Sequence, residues 1–286
     1  MAAMDLTFYK LRLCDSDIVL IDDLDGEGRD RDWALVARAL LHRRRGVGAD
    51  RLAIVSKPEG ELRLSVFRPD GSTGPFADAA LCVARFLLDS GRSGTEDIRM
   101  RIPGADIRID VLDSASLGLS LGALRGMPDD DVLDAAAAAA RATSIEADGE
   151  RFQVLPLRAG IPAADLVAVF AEGGAARARA RVASSRRGAG AKKADREGGE
   201  SAPTVVAVRV ASRGRLLLSA PSGGAQDCSA CAAAALAASA AVGYADREAM
   251  VRLGSGAIWV EWAASGSLYV AARPEYVYRG EFYLSE

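Results

Sequence analysis

Histidine is nearly absent from this chain: His42 is the only one among 286 residues. Any Ser-His-Asp or Cys-His triad would have to use it. It follows an apolar helical stretch, Trp33 to Leu41, and precedes Arg43, Arg44 and Arg45. It therefore reads as a cation at a helix C-terminus and not as a catalyst. Cysteine is scarce as well. Cys14, Cys82, Cys228 and Cys231 lack the spacing of a disulfide framework. Cys228 and Cys231 form a single CxxC pair with no second pair to complete it, which argues against a structural zinc site. Neither sign of charge dominates: 36 basic and 39 acidic residues leave a net charge of -3. That balance points away from nucleic acid and from a membrane surface. No apolar run reaches the roughly 18 residues of a membrane span. Met1 to Lys10 shows no charged-then-apolar signal pattern. A cytoplasmic protein with no metal, nucleic-acid or membrane partner is expected.

What is present is apolar surface, in half of all residues, enough for one large domain or two modest ones. Asp17–Asp22 and Leu52–Ser56 read as buried strands, and Glu61–Phe67 as a half-buried one. Helical periodicity runs over 32–45 and ends at Gly46-Val47-Gly48. Pro69-Asp70-Gly71-Ser72 is a turn. Phe76–Leu88 is a buried helix, and 98–111 is a hairpin about Pro103-Gly104. Asp129–Asp131 ahead of the alanine run 135–140 suggests a helix with acids in its first turn.

A second half repeats the order. Strands are expected at 152–157, 166–170, 204–210 and 215–219. A glycine-rich turn follows at 221–224, then an alanine-rich helix over 229–242, then strands at 257–262 and 267–271. The fold class is thus α/β (α+β): two pseudo-symmetric halves, each a curved, mostly antiparallel sheet around a central helix. The halves are drawn at 1–118, with a C-terminal strand 274–286 returning to it, and 119–273. The second contains a basic stretch, 173–199, with eight Lys or Arg among Ala, Gly and Ser. It reads as a mobile solvated loop, or as a basic lid over an anionic ligand.

Several stretches resemble the diaminopimelate epimerase family. They are Arg44-Arg45-Gly46-Val47-Gly48-Ala49-Asp50, Phe67–Gly71 followed by Cys82–Phe86, Val251–Gly256, Ile258–Trp262, Leu268–Val270 and Arg273–Glu281. The resemblance implies two halves with the active site between them and no cofactor. It also implies two cysteines, each at the start of a buried helix, acting on opposite faces of a carbon α to a carboxylate. A helix start favours the thiolate, and its free N–H groups hold the carboxylate.

At the matching positions this sequence departs. Where the family has a Met-Cys-Gly-Asn-Gly run, this chain has Phe76-Ala77-Asp78-Ala79-Ala80, so Ala77 replaces the first thiol. In the second loop, Gln226-Asp227-Cys228-Ser229-Ala230-Cys231 aligns either with Cys228 in the catalytic position or with Cys231 in that of a later structural cysteine. Polar contacts of the family become Leu13, Ala77, Ala79, Ile161, Ala163 and Ala220. The candidate acid-base groups are Asp78, Asp227 and Cys228. Each also has a plainer reading: the acids as N-caps of the helices that follow them, the cysteine as a small buried residue. Leu13, Phe76, Ala77, Ile161, Ser219 and Gln226 would line the site.

A small-molecule substrate in the cleft between halves is therefore expected, on a monomer or homodimer. The function read from this pattern is a cofactor-independent cyclase or isomerase of secondary metabolism. Its ligand would be apolar or weakly polar and not a free amino acid. The alternatives are a one-base proton-shifting isomerase and a non-catalytic binding protein.

Overall fold

The computed structural model describes residues 4–28, 30–94, 96–126, 131–147, 150–161, 164–170, 204–219 and 227–284. The chain divides into two compact units, one of 1–120, 223–228 and 271–286, the other of 121–222 and 229–270. The fold is the mixed α/β class that the sequence predicts.

The first unit holds β1 (Met4–Leu13), β2 (Ser16–Asp23), α1 (Trp33–Leu40), β3 (Arg51–Ser56), β4 (Arg63–Phe67) and α2 (Ala77–Asp89). β5 (Ile98–Ile102), β6 (Ala105–Val111) and most of β7 (Leu117–Ala123) complete its first run of chain. In the second unit come β8 (Arg125–Gly126), α3 (Ala135–Arg141), β9 (Thr143–Ala147), β10 (Glu150–Ala159), β11 (Ala164–Phe170), β12 (Thr204–Ser212) and β13 (Arg215–Ser219). Helix α4 (Cys228–Ala241) and β14 (Glu248–Leu253), β15 (Gly256–Trp262) and β16 (Ser267–Ala272) follow, and β17 (Glu275–Leu284) returns to the first unit.

Strand senses show the internal repeat. In the first unit, β1–β2 is antiparallel, β2–β3 parallel, β3–β4 antiparallel, β4–β5 parallel and β5–β6 antiparallel. In the second, β10–β11, β11–β12, β12–β13, β13–β14 and β14–β15 follow the same alternation. Each parallel step needs a crossover. Helix α1 supplies one between β2 and β3, α2 the next between β4 and β5, and α4 the equivalent between β13 and β14.

The central helices read as apolar on every side because they are buried on every side. From Ala77 to Leu87, every residue of α2 is buried except Arg85, and the helix packs against β1, β2, β3 and β6. In α4, all of Cys228–Ser239 is buried. Alanine there combines high helix propensity with a side chain small enough for close approach.

Helix α1 is shorter than the periodicity predicts, ending at Leu40 and not near Arg45. The chain doubles back over the helix end: Val47 and Gly48 both donate to the carbonyl of Leu40, at 2.8 and 3.1 Å. Gly46 lies against that end so closely that an added Cβ would come within 2.3 Å of the Ala39 oxygen. His42 sits beyond the helix, and its Nδ1 accepts the N–H groups of Arg44 and Arg45 at 3.2 Å each. It thus lies in the turn that follows the helix. Helix α3 also begins later than its acids suggest: Asp134 caps it, accepting the N–H of Ala137 at 2.8 Å.

Among the described residues, no helix is long and apolar enough to cross a membrane.

Candidate functional site

The first unit gathers five polar groups from four separated stretches of chain. The β1–β2 hairpin turns through Cys14, which has a left-handed backbone (φ 53°), an uncommon conformation for a residue with a Cβ. That turn presents Ser16, the first residue of β2. Arg51 opens β3. Asp78 is the second residue of α2, Asp227 precedes α4, and Cys228 is its first residue.

Arg51 is wholly buried, at 0% exposure, as is Asp78. Its Nη1 donates to Ser16 Oγ at 2.8 Å and lies 3.5 Å from Asp78 Oδ2. Burial alone would lower the guanidinium pKa. Asp227 first, then Asp78 and Cys228, more than offset this, and the balance is upward. Arg51 is therefore a fixed cation.

The two acids cross over. Asp78 Oδ2 accepts the backbone N–H of Cys228 at 2.7 Å, and Asp227 Oδ2 accepts the backbone N–H of Asp78 at 3.1 Å. The first N–H groups of a helix have no partner within it. Here each acid satisfies the helix start belonging to the other. Asp78 lies inside the first turn of α2. The residue at the capping position, Phe76, has no side-chain acceptor.

Cys14 and Cys82 lie within electrostatic range of this cluster. Burial, then Asp78, push the Cys14 thiol up to about 12. Burial is also the main cause that drives Cys82 well above its usual value. Both are held as thiols at neutral pH. None of the four cysteines forms a disulfide.

Of the residues named from sequence, Asp78, Asp227 and Cys228 come together, at 0%, 4% and 7% exposure. Leu13, Phe76 and Ala77 are buried in the same unit, adjoining these groups along the chain. Ile161 and Ser219 belong to the second unit. Gln226, Ala163, Ala220 and the basic stretch 173–199 lie outside the described residues. Sequence reasoning missed Arg51 and Ser16. The signal for Arg51 was a lone cation between Asp50 and the apolar run Leu52–Val55. Among the described residues, no group of three or more His, Cys, Asp or Glu is arranged to hold a metal ion.

The motif Arg44–Asp50 has a structural role. Asp50 accepts the N–H of Asp17 at 3.0 Å and pairs with Arg43 at 2.5 Å. It thereby pins the loop after α1 to the start of β2.

A two-unit chain with one repeated order of strand senses and a buried helix in each repeat defines a narrow architectural class. Solved structures of that class cover nearly the whole chain. A phenazine biosynthesis protein of the PhzF family from Enterococcus faecalis has a TM-score of 0.64 at 9% identity, over 98% of this chain and 100% of its own. A hydroxyproline epimerase from Agrobacterium vitis has a TM-score of 0.63 at 10% identity, over 99% of this chain and 93% of its own.

No family model matches. Among curated proteins, the diaminopimelate epimerase of Pseudomonas savastanoi pv. phaseolicola is 29% identical over 128 residues, 43% of this chain and 46% of the relative. The match thus spans less than half the length of that curated relative. Over that stretch the chain is similar to the diaminopimelate epimerases, and its fold is diaminopimelate epimerase-like. Its α2 begins with alanine, at Ala77.

Proposed function

We propose that this chain is a cofactor-independent isomerase that moves a proton on one face of its substrate. One observation carries the reading. Two buried acids and a buried arginine converge on two helix starts, where dipoles and oriented N–H groups favour developing negative charge. Likeness to a hydroxyproline epimerase supports only the broader class, an isomerase.

The roles follow from burial and charge. Asp78 is fully enclosed and paired with Arg51, so it anchors the site. Asp227 is the group that exchanges the proton. A thiol is a weak choice beside carboxylates, because neighbouring negative charge opposes a thiolate. Cys228 then serves as a small buried side chain and as the N–H that holds Asp78. Arg51 stabilises the enolate or dienolate that proton removal creates.

With Ala77 opening α2, the family's first thiol has no counterpart, and inversion at an amino-acid α-carbon would lack its second base. The substrate class is therefore not a free amino acid. A ring-closing isomerase of a secondary-metabolite pathway uses the same parts, with Leu13, Phe76 and Ala77 shaping an apolar substrate.

Solvent-deuterium exchange tests the reading. Enolisable and unsaturated acids incubated with the protein in D2O should gain deuterium at one carbon position. Asp227→Asn should lower the exchange rate by about 10²–10⁴-fold, the scale of a lost general base. Exchange that survives Asp227→Asn unchanged would remove Asp227 from the mechanism, and turnover without exchange would sink the proton-shift reading.

A further inference from the structure

We propose that the Nε–Nη2 edge of Arg51 binds the carboxylate group of the substrate, a proposal that rests on the isomerase reading above. Arginine carries five N–H donors in a rigid fork. In this chain Nη1 is engaged by Ser16 Oγ at 2.8 Å and by the longer contact to Asp78 at 3.5 Å. Among the described residues, Nε and Nη2 have no hydrogen-bond partner, although the side chain is fully buried. Buried polar groups in folded proteins are almost always paired, and an unpaired donor gives up its hydration without return. The unpaired atoms are not a random pair. Nε–H and one N–H of Nη2 lie parallel along a single edge of the guanidinium, spaced to match the two oxygens of a carboxylate.

The protein's nearest acids do not fill this edge. Asp78 Oδ2 faces Nη1 and the Cys228 amide, and Asp227 Oδ2 accepts from the Asp78 amide. This edge is open to an acceptor from another molecule. A planar, singly charged, two-oxygen group suits the edge. A phosphate would bring a second negative charge beside two carboxylates. The body of the ligand would be apolar, since Leu13, Phe76 and Ala77 adjoin the groups that hold Arg51 and are themselves buried. The substrate class is thus a small unsaturated or enolisable carboxylic acid without an ammonium group.

The probe is crotonate, a planar unsaturated acid, titrated into the full-length protein labelled with ¹⁵N-arginine. Its neutral amide, crotonamide, and chloride serve as controls. One solvent-protected arginine Nε–H resonance should move with crotonate and with neither control. Arg51→Lys keeps the charge but lacks the paired edge, so that resonance should vanish and crotonate should bind about tenfold or more weakly. If Arg51→Lys does not fold, the wild-type titration decides alone. The proposal is overturned if no Nε–H resonance moves, if chloride or crotonamide moves it equally, or if folded Arg51→Lys binds crotonate as tightly as wild type. A shifted resonance with no deuterium entering any acid would leave the carboxylate site standing and end the isomerase reading.

Discussion

Removing the charge of Asp78 tests whether the buried cluster holds together as one electrostatic unit. Asp78→Asn keeps the shape of the side chain and an oxygen that can accept the Cys228 N–H. It removes one of the two carboxylates that face Arg51. Arg51 and Asp78 are each fully buried, so solvent screening offers little relief. Asp227 still balances the cation, which limits the loss to about 1–3 kcal/mol, the scale of a charged hydrogen bond made neutral. Arg51→Met is harsher. It leaves two buried carboxylates with no cation between them, and breaking a buried pair in this way costs about 3–5 kcal/mol. In the double variant one of those stranded charges is gone as well, so the losses do not add. Urea unfolding followed by circular dichroism gives each stability. The double variant should fall short of the summed single losses by about 1.5 kcal/mol or more, within the range of directly coupled groups. Losses that add within about 0.5 kcal/mol would show that the two residues act independently and would refute the account of Arg51 as the balancing cation.

Two further tests probe the surroundings. Gly46→Ala should destabilise the protein by about 2 kcal/mol or more in the same assay, because the new Cβ meets backbone and not a movable side chain; a loss below about 0.5 kcal/mol would contradict the close packing on α1. Cys14, with its thiol pushed up to about 12, holds about one part in ten thousand thiolate at pH 8, so mass-spectrometric mapping after iodoacetamide should find it far less labelled in the native than in the urea-unfolded chain. Equal labelling would mean that the hairpin turn does not shield it.

Much of the architecture was legible because its signals are local. β3 announces itself through Leu52–Val55, and α4 through its alanines, each readable within a dozen residues. The helix ends were less legible because they depend on chain that returns from elsewhere. α1 stops at Leu40 because Val47 and Gly48 claim its last carbonyl, and nothing in 41–45 forbids another turn. The candidate site shows the same division. Asp78 and Asp227 stood out because each precedes or opens a buried helix. Their exchange of partners joins residues 149 and 150 positions apart, and no pattern along a single stretch encodes it. Arg51 was missed because its neighbours make it look like the polar start of a strand. Only the tertiary fold reveals that this strand end faces two carboxylates.

The return of β17 to β1 has a consequence for how the chain reaches its native state. Met4 pairs with Leu284, and Arg12 with Glu275. The first unit also draws in residues 223–228. It is therefore not a module that can finish folding as soon as its early residues are made. Contacts this distant in sequence are slow to form, since the loop they close must be ordered before they repay it. Until residues near 284 emerge from the ribosome, β1 lacks its outer neighbour and carries an open hydrogen-bonding edge. β1 is in this sense among the last strands to be completed, and its open edge is where association with other chains would compete with folding.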